Sequence, residues 1–317
     1  MANCSISRRQ GACQMYPDET FTASAEDGYP IRGSIWHGAG KGPVVIIHAA
    51  TAVRARYYAR FAAWLAGQGA SVLTFDYRGI GESRSTPIRQ LNAGWVDWGL
   101  LDAEAVLAYA MRRWPHRLYM AVGHSIGGFA LGLAPSAAHL DRIVTVGAQF
   151  AYWRDYARRQ RLSMVLKWHV VMPALTGLFG FFPGERLGWL ENVPRGVARD
   201  WSRMGPRFEA SVDTVLDRAD LAQLHGTTCA SLLAVGLTDD PYGTDAAIGR
   251  LLSYYTGAER THLKIAPEDI GEDKVGHFAF FHSRFEQTLW PLASAWLLTG
   301  QLPESVPGKV IAAPASG

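Results

Sequence analysis

Ser125 stands in the stretch AVGHSIGGFA, residues 121–130, with Gly123-His124 before it and Ile126-Gly127 after it. A serine hydroxyl is a weak nucleophile near neutral pH. It becomes reactive when a base takes its proton and a carboxylate fixes the tautomer of that base. The G-x-S-x-G spacing meets a separate need, a serine held on a sharp turn between a strand and a helix. Gly123, Gly127 and Gly128 are the small neighbours such a close approach requires. Alone, the pattern also suits a serine that merely caps a helix.

The base is expected after the last strand of the sheet, where EDKVGHFAFFH places His277. His282 is a competitor one helical turn further on, where it would face solvent or pack. The acid is expected in LTDDPYGT, residues 237–244, which offers Asp240 and, as the alternative, Asp239. Asp240 is preferred because it lies a few residues past a strand and just before Pro241. The resulting chain order is Ser125, Asp240, His277, one of the distinguishable orders in which such triads occur.

The elements that must position these groups are legible as periodicity. FTASAEDGYPIRGSIWHG alternates in the manner of two strands joined at Asp27-Gly28, a hairpin dipeptide. PVVIIHAAT, SVLTFDYRGIGES, RLYMAVG, DRIVTVGAQ, CASLLAVG and THLKIAP read as strands, the longest apolar runs among them buried on both faces. Between them, RYYARFAAWLAGQGA, DWGLLDAEAVLAYAMRRWP, SIGGFALGLAPSAA and DAAIGRLLSYYTG have helical character, as does SRFEQTLWPLASAWLLTG near the C-terminus. Alternation of this kind predicts an α/β fold, a mostly parallel central sheet with helices on both faces. The rhythm stops from residue 150 to 228. The expected organisation is therefore a first core part at 1–149, an insertion at 150–228, a second core part at 229–300 and a loose tail at 301–317.

Composition narrows the class. With 48% hydrophobic residues the chain has ample material for a core, and a net charge of +3 does not suggest a nucleic-acid binder. Cys4, Cys13 and Cys229 have no metal-ligand spacing and no disulfide pattern. No nucleotide loop or redox pair appears, so no cofactor and no metal are expected. The N-terminal stretch has no apolar run of the secretory type. VVMPALTGLFGFF, residues 170–182, is short for a membrane span and is interrupted by Pro173, Gly177 and Gly180. A cytoplasmic location is the expectation.

Taken together, GHSIGG, LTDDPYG, VGHFAFF, the loop FDYRGIGES and the insertion's ENVPRGVARDW resemble the α/β-hydrolase superfamily, over essentially residues 20–300. They are similar to a bacterial branch of hydrolases near the lysophospholipase and serine-aminopeptidase-like members. The resemblance implies an oxyanion hole made by the backbone N–H groups of Ile126 and of Ala50, in the loop His48-Ala49-Ala50-Thr51. Many relatives have glycine after the histidine of that loop. His48 is expected to brace the loop, and His124 is given no chemical role.

The resemblance also implies that the insertion is a helical lid. Its Trp153, Trp168, Phe179, Phe181, Phe182, Trp189 and Trp201 either form its own small core or line an apolar acyl pocket. Arg154, Arg158, Arg159 and Arg161 form either a solvated helix face or, with the apolar stretch after Lys167, a surface for transient contact with an anionic membrane. The expected activity is hydrolysis of a small-molecule carboxylic ester through an acyl-enzyme on Ser125. Three alternatives stay open: acyl transfer, amide or peptide cleavage with the same triad, and a non-catalytic binding protein.

Overall fold

Strands covered by helices on both faces can be apolar throughout, and the continuous apolar runs of this chain become the centre of one sheet. The computed structural model describes residues 16–311. β1 (Glu19–Ser24) and β2 (Pro30–Trp36) form the expected antiparallel hairpin, with Gly28 at φ +78° in its turn. β3 (Val44–His48), β4 (Ser71–Phe75), β5 (Tyr119–His124) and β6 (Arg142–Val146) follow. The insertion adds only the short pair β7 (Phe181–Phe182) and β8 (Val193–Pro194). β9 (Ser231–Leu237), β10 (Glu259–Ile265) and β11 (Lys309–Ile311) complete the order 1-2-4-3-5-6-9-10-11.

From β4 to β10 neighbouring strands run parallel, and β2 and β11 join antiparallel at the two ends of that block. The chain passes from β3 to β4 on one side and returns to β5 on the other. Such a switch point opens a crevice beyond the carboxyl ends of the two diverging strands. The loop after β3 and the turn after β5 both lie there.

Three expectations need correction. The tail is not loose throughout, since residues 309–311 pair with β10 at the sheet edge; residues 312–317 lie outside the described residues. The last helix is Leu289–Thr299, shorter than its sequence pattern, with Pro291 in its first turn where a missing N–H costs nothing. Pro173 does not interrupt its segment: a single helix runs from Arg161 to Phe179. Its turns between Leu166 and Val171 are π-helical, and this wider stretch just before Pro173 accommodates the ring and the absent donor.

The FDYRGIGES loop is structural. Asp76 accepts from the amides of Ala55 at 2.6 Å and Glu82 at 2.9 Å, and a side chain on Gly81 would strike its carboxylate. Arg78 joins Asp102 at 2.6 Å and Asp27 at 2.6 Å, tying the loop to the helix at 95–113 and to the hairpin.

Candidate active site

β5 passes into the helix Ile126–Leu131 with one residue between them, so Ser125 alone makes the turn, at φ 54° and ψ −123°. A non-glycine residue at such a position is strained by about 1–3 kcal/mol and persists only where its surroundings over-determine it. They do so here. A Cβ on Gly123 would lie 2.6 Å from Gly128 Cα, one on Gly128 would lie 2.5 Å from the Ala148 side chain, and one on Gly127 would overlap the His48 carbonyl. Strand and helix are too close for any side chain at those positions.

The loop after β10 carries His277 into the cavity that Ser125 lines. His277 Nδ1 lies 2.7 Å from Asp240 Oδ2, and both residues are buried. A carboxylate accepts, so Nδ1 holds the proton and Nε2 is left with a free lone pair, the form a base requires. Burial pushes the Asp240 pKa up, but the His277 charge and hydrogen bond and the amides of Gly243 and Tyr242 outweigh it, leaving the carboxyl below its ordinary value. Asp239 does other work. It accepts from the amides of Val275 and Gly276 at 2.9 Å each and so shapes the loop that presents His277. His282 is exposed beside Tyr57 and takes no part.

The space around Asp240 is reserved by glycine. Gly147, at φ +54°, follows β6, and a Cβ there would lie 2.6 Å from Asp240 Oδ2 and 3.2 Å from His277 Nδ1. A Cβ on Gly243 would lie 2.6 Å from the same carboxylate oxygen.

Ala50, the expected oxyanion donor, already has a hydrogen-bond partner. It lines the cavity, but its N–H donates to the Tyr58 hydroxyl at 2.9 Å. Tyr58 is 2.7 Å from His124 Nδ1, and His124 Nε2 is 2.8 Å from the His277 carbonyl oxygen. A carbonyl only accepts, so Nε2 carries the proton and Nδ1 accepts from Tyr58. Burial drives the His124 pKa down to about 3, keeping the ring neutral as this arrangement demands. One chain of hydrogen bonds therefore joins the loop after β3 to the backbone of His277. Sequence reading missed Tyr58 and the role of His124, because only packing brings the two rings together.

Ile126 lies at the start of the elbow helix, where the first N–H groups have no intrahelical acceptor. Gln149 was also missed. Its Nε2 is 3.4 Å from Ser125 Oγ, and its Oε1 accepts from the Ala151 amide, which fixes the orientation of the amide group. His48 is buried with its ring edge-on to Phe75, and burial lowers its pKa to about 3.

The cavity has a volume of about 100 Å³, and the insertion supplies much of its wall through Lys167, Trp168, Trp189, Leu190 and Trp201. The insertion's aromatics divide between packing and the cavity wall. Trp168 stacks on Trp201 at 4.5 Å and packs on Phe182, which makes a small core, while Trp168, Trp189 and Trp201 also face the cavity. Trp153, Phe179 and Phe181 do not line it. Trp95, from the start of the helix at 95–113, does, and its amide donates to Asp200 of the insertion at 2.7 Å. Lys167 Nζ sits 4.1 Å from the Trp189 ring centre and 4.5 Å from that of Trp168, and burial lowers its pKa. Among the described residues lining this cavity there is no Asp or Glu. A larger cavity of about 470 Å³ beside Phe21, Trp36 and Arg54 contains none of the Ser125, Asp240 and His277 set.

Comparison with known proteins bears on the fold. Residues 38–182 match the family model described as serine aminopeptidase, S33. The chain is similar in structure to the esterase domain of a Rhodothermus marinus protein, with TM-score 0.52 and 16% identity, over 87% of this chain and 97% of that one. The chain has the α/β-hydrolase fold. It is also similar in structure to a thermostable carboxyl esterase from Bacillus coagulans, with TM-score 0.54 and 13% identity, over 88% of this chain and 97% of the esterase. A puromycin-hydrolysing peptidase from Mycobacterium tuberculosis matches with TM-score 0.53 and 14% identity, over 91% of this chain and 40% of the peptidase. No curated protein matches the chain in sequence. Esterases and a peptidase thus share this fold, and fold alone does not choose between their substrates.

Proposed function

We propose that the chain is a serine hydrolase that cleaves a carboxylic ester through an acyl-enzyme on Ser125. The observation that carries this reading is the strained Ser125 in one cavity with His277, whose Nδ1 is held by Asp240 at 2.7 Å. His277 Nε2 takes the Ser125 proton as Oγ attacks the ester carbonyl. The resulting oxyanion is met by the Ile126 N–H. The second donor belongs to the loop at residues 50–51, where Ala50 would exchange its Tyr58 partner for the oxyanion. Collapse expels the alcohol with the proton from His277, and water activated by the same nitrogen then releases the acid.

Lys167 favours an ester over the substrate of an aminopeptidase. An aminopeptidase must hold a substrate ammonium group, which calls for a carboxylate. This cavity presents aromatic rings and a lysine instead. A neutral or anionic acyl ester fits those walls, and a cationic amine is repelled by them.

Fluorophosphonate labelling tests the proposal. The wild-type chain should label, and Ser125→Ala and His277→Ala should not, with ester turnover falling by at least roughly 10⁴-fold in each. A folded wild-type chain that neither labels nor turns over esters would support the non-catalytic reading.

A further inference from the structure

The helix Arg161–Phe179 is apolar on two sides. Its inner row, Met164, Trp168, Met172 and Thr176, is buried. Its outer row, Leu162, Leu166, Val170, Ala174 and Leu178, repeats at the same spacing and faces outward, with Leu162 86%, Leu166 57%, Val170 53% and Leu178 75% exposed. Four residues over-rotate an α-helix by about 40°. The π-helical turns at Leu166–Val171 offset that drift, which helps keep a row of this spacing in line. From Leu162 to Leu178 the row is about 24 Å long. A surface helix ordinarily turns a polar face to water.

Charge identifies what this face meets. Between residues 156 and 184 there is no Asp or Glu, while Arg158, Arg159, Arg161 and Lys167 are all present. Arg154, Arg158 and Arg159 are exposed, and Arg154 lies over the half-exposed ring of Trp153 at 5.2 Å. Asp155, the nearest carboxylate in sequence, is buried and paired with Arg250 at 2.5 Å. These arginines gather at the N-terminal end of the helix, where the helix dipole disfavours cations. Their placement does not stabilise the helix, and they remain available to an external anion. An apolar row beside basic residues and an interfacial tryptophan matches an anionic bilayer surface, with acyl chains for the row and phosphates for the arginines.

We infer that the outer row of Arg161–Phe179, together with Trp153, Arg154, Arg158 and Arg159, docks the protein on an anionic lipid bilayer. By length and composition this helix is also apolar enough to cross a membrane. Its inner row is buried in the fold, with Trp168 at the cavity wall, so the helix lies along the interface instead of spanning it. The inference stands independently of the hydrolase reading.

Flotation of the full chain with vesicles tests it. Binding to phosphatidylcholine vesicles containing phosphatidylglycerol should exceed binding to phosphatidylcholine alone by at least roughly tenfold, and should weaken as salt is raised. The double variant Arg158→Glu/Arg159→Glu should lose roughly thirtyfold or more, and Leu166→Glu/Val170→Glu at least roughly tenfold. All four side chains point away from the core, so circular dichroism melts should match wild type and show that the losses are not unfolding. No flotation of wild type at low salt would overturn the inference. So would flotation that both double variants retain. A wild-type dimer that Leu166→Glu/Val170→Glu dissociates, with no vesicle binding, would assign the row to a second copy of the chain and also overturn it.

Discussion

The two faces of the insertion's long helix show opposite principles. Toward the crevice, side chains are fixed by packing and by hydrogen bonds: Trp168 donates to the Tyr242 hydroxyl at 3.1 Å, Trp201 donates to Tyr156 at 3.2 Å, and the loops that carry Asp240 and His277 are held by the amides whose protons Asp239 and Asp240 accept. Away from it, a row of leucines and valine has water as its neighbour, and a group of arginines has no acidic partner in the surrounding segment. A group completed within the fold tells of the chemistry it positions. A group left incomplete tells of something outside the fold.

The sharpest test of the completed side is Gly147→Ala. Its Cβ would enter the space that Asp240 Oδ2 occupies, at a backbone φ of +54°. Displacing the carboxylate should lower kcat by about 10²-fold, the usual consequence of a misplacement on the scale of an ångström. Steady-state kinetics, with fluorescence to confirm folding, would check this, and an unchanged kcat would mean the Asp240–His277 geometry is not needed.

A smaller effect is expected from Lys167→Met, which keeps the stem and removes the charge from the cavity wall. The ratio of kcat/KM for an ester with a carboxylate on its acyl chain over that for its neutral isostere should fall by about tenfold. An unchanged ratio would make Lys167 a packing residue that belongs with the outer face.

The last test concerns the seam between insertion and core. Burial raises the Asp200 pKa to about 7, partly opposed by the Trp95 amide and reinforced by Asp97 and Asp213. The folded state then holds its proton more tightly than the unfolded chain does. Whatever stability this group confers is fully present below the unfolded value near 3.8 and is lost as pH rises through about 7. Asp200→Asn keeps an acceptor for Trp95 and has no such loss, so its stability relative to wild type should improve by about 1–2 kcal/mol between pH 5 and pH 8. Denaturant melts across that range would check the sign.

The sequence by itself determined the strand and helix alternation, the place of the insertion between two strands of one sheet, and the turn that carries Ser125. These are properties of contiguous residues: an apolar period, a hairpin dipeptide, glycines where backbones nearly touch. It also ordered Ser125, Asp240 and His277 along the chain, because each follows a strand recognisable on its own. The sequence preferred Asp240 over Asp239 by its place before Pro241, but only the tertiary structure fixed the pairing of Asp240 with His277 and the separate role of Asp239 in the neighbouring loop, since two adjacent carboxylates differ in what they reach. It alone placed Tyr58 between Ala50 and His124, aligned the outer row through a π-helical segment that carries no local signal, and gave residues 309–311 a partner at the sheet edge. Those outcomes depend on which distant surfaces meet, and contact between residues far apart in the chain is decided by packing and not by local pattern.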